Sequence, residues 1–151
     1  MLDIDVVGVV TTLAGGGGPS STDFGYTNGI GAAAMFHSPN GIAVSTLGTV
    51  YVADTENHLI RIVSLEGQVL FLNKCLVYCV MQLDLFAGVV TSLAGGGSAG
   101  GTASGSVDGT GSAATFNYPY GIAVSASGTV YVADTGNHLI RMISPTGIEV
   151  S

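Results

Sequence analysis

Thr49-Val50-Tyr51-Val52-Ala53-Asp54-Thr55-Glu56-Asn57-His58-Leu59-Ile60-Arg61 recurs as Thr129-Val130-Tyr131-Val132-Ala133-Asp134-Thr135-Gly136-Asn137-His138-Leu139-Ile140-Arg141. One position in thirteen differs, so the chain contains a duplication, and a duplication has to be read before any single element. Working outward, Gly41-Ile42-Ala43-Val44-Ser45 returns as Gly121-Ile122-Ala123-Val124-Ser125, and Val9-Val10-Thr11 with Leu13-Ala14-Gly15 returns as Val89-Val90-Thr91 with Leu93-Ala94-Gly95. Each match carries the same offset of about 80 residues, so the repeat unit is long enough to be a structural module.

Each unit reads as four short strands. Val and Thr enrichment bounded by glycine marks Gly8–Ala14. Gly41–Ser45 is apolar and ends in the Leu47-Gly48 turn. Thr49–Ala53 is β-branched and aromatic, and Leu59–Ser64 follows the polar Glu56-Asn57-His58 corner. The strands are almost continuously apolar instead of alternating, which indicates sheets covered on both faces. Four-stranded antiparallel units stacked in that way are the blades of a β-propeller. The expected fold is therefore all-β: two propeller blades forming an incomplete ring.

The segments Asp54–Arg61 and Asp134–Arg141, with Pro39-Asn40-Gly41-Ile42-Ala43-Val44 and Pro119-Tyr120-Gly121-Ile122-Ala123-Val124 upstream, resemble the NHL-repeat family. The resemblance covers both halves and leaves out only 68–88. It implies a propeller, commonly six-bladed, used to recognise protein, carbohydrate or RNA and in a few branches for catalysis. It also implies a strand order, inner to outer, of 41–45, 49–54, 59–64 and 89–94, then 121–125, 129–134 and 139–144. On this reading Val9–Ala14 is an outer strand with no blade before it, able to pair with a last, incomplete blade.

The expected organisation is one NHL-repeat region over 1–151, with repeat 1 at 8–67, an insertion at 68–88, repeat 2 at 88–147 and the start of a further outer strand at 148–151. Removing the insertion leaves a clean repeat, and a long structureless loop is unexpected at a tight strand connection. It is either a hairpin or short helix extending the blade edge, or a translated intron. A GT donor fits the Gly67 codon and an AG acceptor fits Ala87-Gly88 in the same phase.

Composition narrows the function. Only 9% of residues are charged against 47% hydrophobic, far below the usual quarter, so large surfaces must be covered by neighbours. The net charge is −7 with three cations, Arg61, Lys74 and Arg141, too few to neutralise a phosphate backbone. Nucleic acid is therefore not an expected partner. Val69–Phe86 is broken by Asn73, Lys74, Gln82 and Asp84 and falls short of a membrane span; the start lacks a basic n-region and does not read as a signal peptide. Cys75 and Cys79 are too few for a disulfide framework.

No residue set reads as catalytic, cofactor-binding or metal-binding. Asp54, Asn57 and His58, with their copies Asp134, Asn137 and His138, read as a structural corner, since Asp and Asn side chains bond nearby backbone amides and a single active centre would not occur twice. His37 is unique, its counterpart being Asn117, but it lacks further donors for a metal. The runs Gly15–Gly18 and Gly95–Gly97 lack the Lys-Ser/Thr ending of a phosphate loop and read as flexible loop entries. Asn28–Gly31 and Asp108–Gly111 read as turns. Ala32–Phe36 and Ser112–Phe116 read as helical turns that bury a phenylalanine between blades.

Connections in an antiparallel blade alternate sides, so the long loops 15–40 and 95–120 share a face with the corners at 54–58 and 134–138. That face carries Tyr26, His37, Asn40 and Glu56, then Tyr118 and Tyr120, and loops on a rigid scaffold are the usual recognition surface. The expectation is a binding or scaffold module with a protein or glycan partner, needing further blades or self-association. The alternative is a fragment of a propeller enzyme, lyase- or lactonase-like, with a metal in the central channel. Inner strands 41–45 and 121–125 carry no histidine or acid, which disfavours it.

Overall fold

The computed structural model describes residues 8, 10–18, 21–64 and 88–145. The insertion read at 68–88 (Gly88 apart) and the strand start read at 148–151 lie outside the described residues. The elements are β1 (Gly29–Ile30), β2 (Pro39–Val44), β3 (Val50–Asp54), β4 (Leu59–Ser64), β5 (Val89–Gly95), β6 (Pro119–Val124), β7 (Val130–Asp134) and β8 (Leu139–Ile143). None of the described elements is a helix long and apolar enough to cross a membrane.

The strands make two antiparallel sheets, ordered β1-β5-β4-β3-β2 and β6-β7-β8. In the first blade β5 lies along β4, Ser64 opposite Val89 and Ile60 opposite Ala94, so the outer strand comes from beyond the insertion. Leu93 is extra in this ladder, a bulge that steepens the local twist. The second blade shows three strands among the described residues where four are expected. Its outer-strand position, beside β8, has no occupant among them.

The bounds move by one or two residues from the expected ones, for local reasons. β2 and β3 are joined across Ser45–Thr49, where Ser45 N–H donates to Thr49 O (2.9 Å) and the Ser45 hydroxyl accepts from Thr49 N–H (3.1 Å). Thr49 therefore belongs to the turn, and the repeat makes the same bonds at Ser125 and Thr129. Three readings need correction. Gly8 and Val10–Ala14, expected within an outer strand, lie in no strand, because no neighbouring strand pairs with them among the described residues. Gly29–Ile30 is not a turn but a strand, because β5 offers Val90 and Val89 as partners. The helical turns lie at Gly31–Ala33 and Gly111–Ala113, earlier than read, because glycine starts each at positive φ (54° and 56°).

Both faces of the first blade are apolar, which is why its strands do not alternate in polarity. The forward face presents Tyr51, Ala53, Ile60 and Ala94 to Val130, Val132, Ile122, Val124 and Phe116 of the second blade. Ile60 and Val132 are fully buried there, each burial worth about 1.5–3 kcal/mol. The rear face packs Val52, Val63 and Val90 under Ala34, Phe36 and Leu13. Phe36 and Phe116 thus occupy equivalent places, one at the rear of each blade.

Candidate functional site

The corner after β3 is the centre of a polar cluster. Asp54 is fully buried. Its Oδ1 accepts from His37 N–H (2.7 Å), and its Oδ2 accepts from Asn57 Nδ2 and Arg61 Nη1, both at 2.8 Å. Asn57 also donates to Gly25 O (2.7 Å). Arg61, fully buried as well, donates to Met35 O, Thr27 O and Asn28 Oδ1 and lies 5.3 Å above the Phe36 ring. Five backbone or side-chain groups of the long loop 23–37 are thereby tied to the blade through one carboxylate, one amide and one guanidinium. Burial pushes the Asp54 carboxyl above the usual carboxylate range, against the pull of the His37 N–H, Asn57 and Arg61.

The second unit repeats the clasp. Asp134 accepts from Asn117 N–H (2.7 Å), Asn137 (2.8 Å) and Arg141 (3.0 Å). Asn137 reaches Gly105 O, and Arg141 reaches Thr115 O, Val107 O and Asp108 Oδ1. Arg61 and Arg141 were given no role from sequence, although a pattern Asp-x-x-Asn-x-x-x-Arg occurring twice in a chain of three cations was the available signal. Asn28 and Asp108, read as parts of turns, are the far anchors of the two guanidinium groups. In the glycine runs, Gly95 and Gly96 hold positive φ (106° and 88°), and a Cβ on Gly96 would overlap the Gly101 carbonyl, so these positions require glycine.

His58 acts across the blade boundary. It closes the 3-10 turn Thr55–Asn57 in the left-handed region (φ 57°). Its Nδ1 accepts from Tyr118 N–H (3.1 Å), and the two rings meet edge to face at 4.8 Å. Thr55 Oγ1 adds a bond to Pro119 O (2.6 Å). Burial lowers the His58 pKa below the ordinary histidine value, with Glu56 and Asp134 pulling it part of the way back. His138 has the same backbone (φ 58°) but is exposed.

The long-loop face collects the other residues singled out from sequence. His37 stacks on Phe24 at 4.5 Å, and its carbonyl accepts from Glu56 N–H, so the loop and the corner do share a side. Asn40 and Tyr120 are the extra residues of bulges at the start of each inner strand. The residues two before them, Ser38 and Tyr118, sit at positive φ (50° and 48°) although each precedes proline, a position that normally favours extended backbone. Tyr26, Tyr118 and Tyr120 are about half exposed, and Phe24 more so. Among the described residues no three His, Cys, Asp or Glu side chains are grouped closely enough to hold a metal ion.

The family model of the NHL repeat matches residues 36–63 and again 116–141, the two stretches that run from the buried phenylalanine through the clasp. Both units are NHL repeats. Over 94% of this chain the sequence is 31% identical to Protein SUPPRESSOR OF QUENCHING 1, chloroplastic, of Arabidopsis thaliana, and over 35% it is 47% identical to NHL repeat-containing protein 2 of Gallus gallus. The chain spans 11% and 7% of the length of these relatives. Among solved structures, a structural genomics protein of unknown function from Bacteroides thetaiotaomicron superposes with a TM-score of 0.61 at 26% identity, covering 85% of this chain and 26% of that one. An auxiliary nutrient binding protein from the same organism has the same fold, with a TM-score of 0.59 at 24% identity over 86% of this chain and 27% of that one. The architecture is thus an NHL-repeat, propeller-like stack of antiparallel blades.

Proposed function

We propose that these two NHL repeats belong to a binding or scaffold module whose long-loop face takes a protein or glycan partner. The observation that carries this reading is the pairing of rigid loops with exposed aromatics. Tyr26, Tyr118 and Tyr120 stand half exposed on loops and inner-strand ends that the buried Asp-Asn-Arg clasps hold in place. Aromatic side chains give contact area at low cost in conformational entropy, and a fixed backbone under them lowers the ordering cost of binding. Among the described residues the long-loop face has no basic cluster, because Arg61 and Arg141 are both drawn into the clasps.

The test is an array of immobilised glycans and peptides probed with the purified chain, followed by substitution on both faces. Tyr26→Ala and Tyr120→Ala should remove binding of any ligand found without changing the melting temperature. Leu47→Ser, on the short-turn side and 93% exposed, should leave it intact. Binding that survives both tyrosine variants and is lost with Leu47→Ser would place the ligand on the opposite face and reject the proposal.

A further inference from the structure

We infer that the long-loop face, at the seam between the two blades, binds a lysine- or arginine-bearing segment of a protein partner, with Phe24 and Tyr118 supplying ring faces and Glu56 the counter-charge. This assignment depends on that face being a binding surface, as proposed, and narrows its partner to one class.

The first support is a set of side chains that the repeat does not require. The two clasps make the same bonds: Asp54 accepts from Asn57 and Arg61 as Asp134 does from Asn137 and Arg141, and the two asparagines reach the carbonyls of Gly25 and Gly105. Around the first clasp, Asp23, Phe24, Tyr26, His37 and Glu56 stand where the second has Ala103, Ser104, Ser106, Asn117 and Gly136. The second clasp forms without those side chains, so the loop does not need them to fold. Contacts gather them at one place. Phe24 stacks on His37 with ring centroids 4.5 Å apart, and the His37 carbonyl accepts from Glu56 N–H (3.2 Å). Two residues on, the His58 ring meets Tyr118 of the second blade at 4.8 Å.

The second support is exposure that does not come from a missing neighbour. Glu56 is exposed with the second blade stacked in front of it. Phe24 is 71% exposed, and its counterpart Ser104 is exposed even with the first blade stacked behind it; the same holds for Tyr26 and Ser106. Tyr118 is exposed with the first blade in place behind it, and its counterpart Ser38 is exposed with the second blade in front. These positions stay open whichever side carries a further blade.

The third support is charge. Among the described residues Glu56 and Asp23 are exposed carboxylates outside any ion pair, while Arg61 is buried and Arg141 is only 10% exposed, both held in their clasps. Burial lowers the His58 pKa, and Glu56 and Asp134 pull it upward, which marks a negative potential at the seam. Aromatic ring faces are electron-rich and attract a guanidinium or ammonium set over them. The net charge of −7 steers such a group inward. A neutral sugar gains nothing from that potential, and an anionic partner is repelled by it.

Fluorescence anisotropy on the full 151-residue chain at pH 8 tests the assignment. The probes are a labelled peptide of alternating arginine and glycine and the same peptide with citrulline for arginine, which keeps the planar shape and removes the charge. The arginine peptide should bind about fivefold tighter or more, and added salt should weaken it. Phe24→Leu keeps the apolar contact and the net charge but removes the ring face, and it should weaken binding about threefold. Glu56→Gln should weaken it comparably, and Leu47→Ser should not. Phe24 and Glu56 are exposed, so both variants should keep the wild-type circular dichroism spectrum and melting temperature. Absence of arginine-peptide binding, equal affinity for the two peptides, or binding that neither variant weakens would overturn the inference. Preference for a neutral oligosaccharide, lost with Tyr26→Ala and Tyr120→Ala, would overturn it too while upholding the long-loop face as the binding surface.

Discussion

Arg61 lies at the centre of the first blade's loop face, and its burial sets the consequences of losing its partner. The guanidinium is wholly removed from solvent, its Nε has no hydrogen-bond partner among the described residues, and Asp54 is its counter-ion at 2.8 Å. Removing one member of a buried pair leaves an uncompensated charge and costs about 3–5 kcal/mol. Asp54→Ala should lower the urea midpoint accordingly, and Asp134→Ala should lower it less, because Arg141 is partly exposed and keeps Asp108 at 2.6 Å. Equal losses in the two variants would show that burial does not distinguish the clasps. A second residue-scale effect concerns pH. His58 is the acceptor of the Tyr118 N–H only when its Nδ1 carries no proton, and burial lowers its pKa in the folded chain below the ordinary value near 6.5. The unfolded chain therefore takes up this proton first as pH falls. The stabilisation is full above about 6.5 and is lost as pH falls through the lower folded value. His58→Ala should be less stable than wild type at pH 8, and the gap should narrow towards pH 5. A gap independent of pH would remove His58 from the interblade bond.

At the scale of the element, much of the blade was legible and the exceptions have physical causes. β3 and β4 follow from β-branched runs bounded by a polar corner, and β5 follows from its likeness to the N-terminal run. β1 was not legible, because Asn28-Gly29-Ile30-Gly31 has turn composition and becomes a strand only when β5 lies beside it. The left-handed His58, the clasp role of Arg61 and the bulges at Asn40 and Tyr120 were hidden for the same reason: each depends on a partner a dozen or more residues away along the chain or in the other blade. Gly41 tests the fit between inner strands. Gly41→Ala forces a Cβ against the Tyr120 carbonyl, and overpacking of this kind costs about 1–3 kcal/mol. The melting temperature should fall for Gly41→Ala and stay in place for Gly121→Ala; the reverse order would mean that the two inner strands do not meet as described. The segment 68–88 is open to a test at the nucleic-acid level. Transcript sequencing across the codons of Gly67–Val89 should show messages that join them directly if the segment is a translated intron; retention of every codon would make it a genuine extension between β4 and β5.

At the scale of the whole molecule, the blades are held by one apolar interface and by a small set of directed bonds, His58 to Tyr118 and Thr55 to Pro119. The low proportion of charged residues, readable in the composition, is explained by faces meant to be covered: Ile42, Val44, Tyr131 and Ile140 remain outside the interface that buries their counterparts. Two NHL blades stacked forward face to rear face, with the outer strand of the first supplied from beyond residue 88, is the central structural claim. Nuclear Overhauser contacts on isotopically labelled chain test it most directly. The expected pattern is a backbone ladder joining Arg61–Ser64 to Val89–Ser92, together with contacts from the His58 ring to Tyr118. Sequential helical contacts over 49–64, or a ladder joining β4 directly to β8 in one continuous sheet, would contradict it.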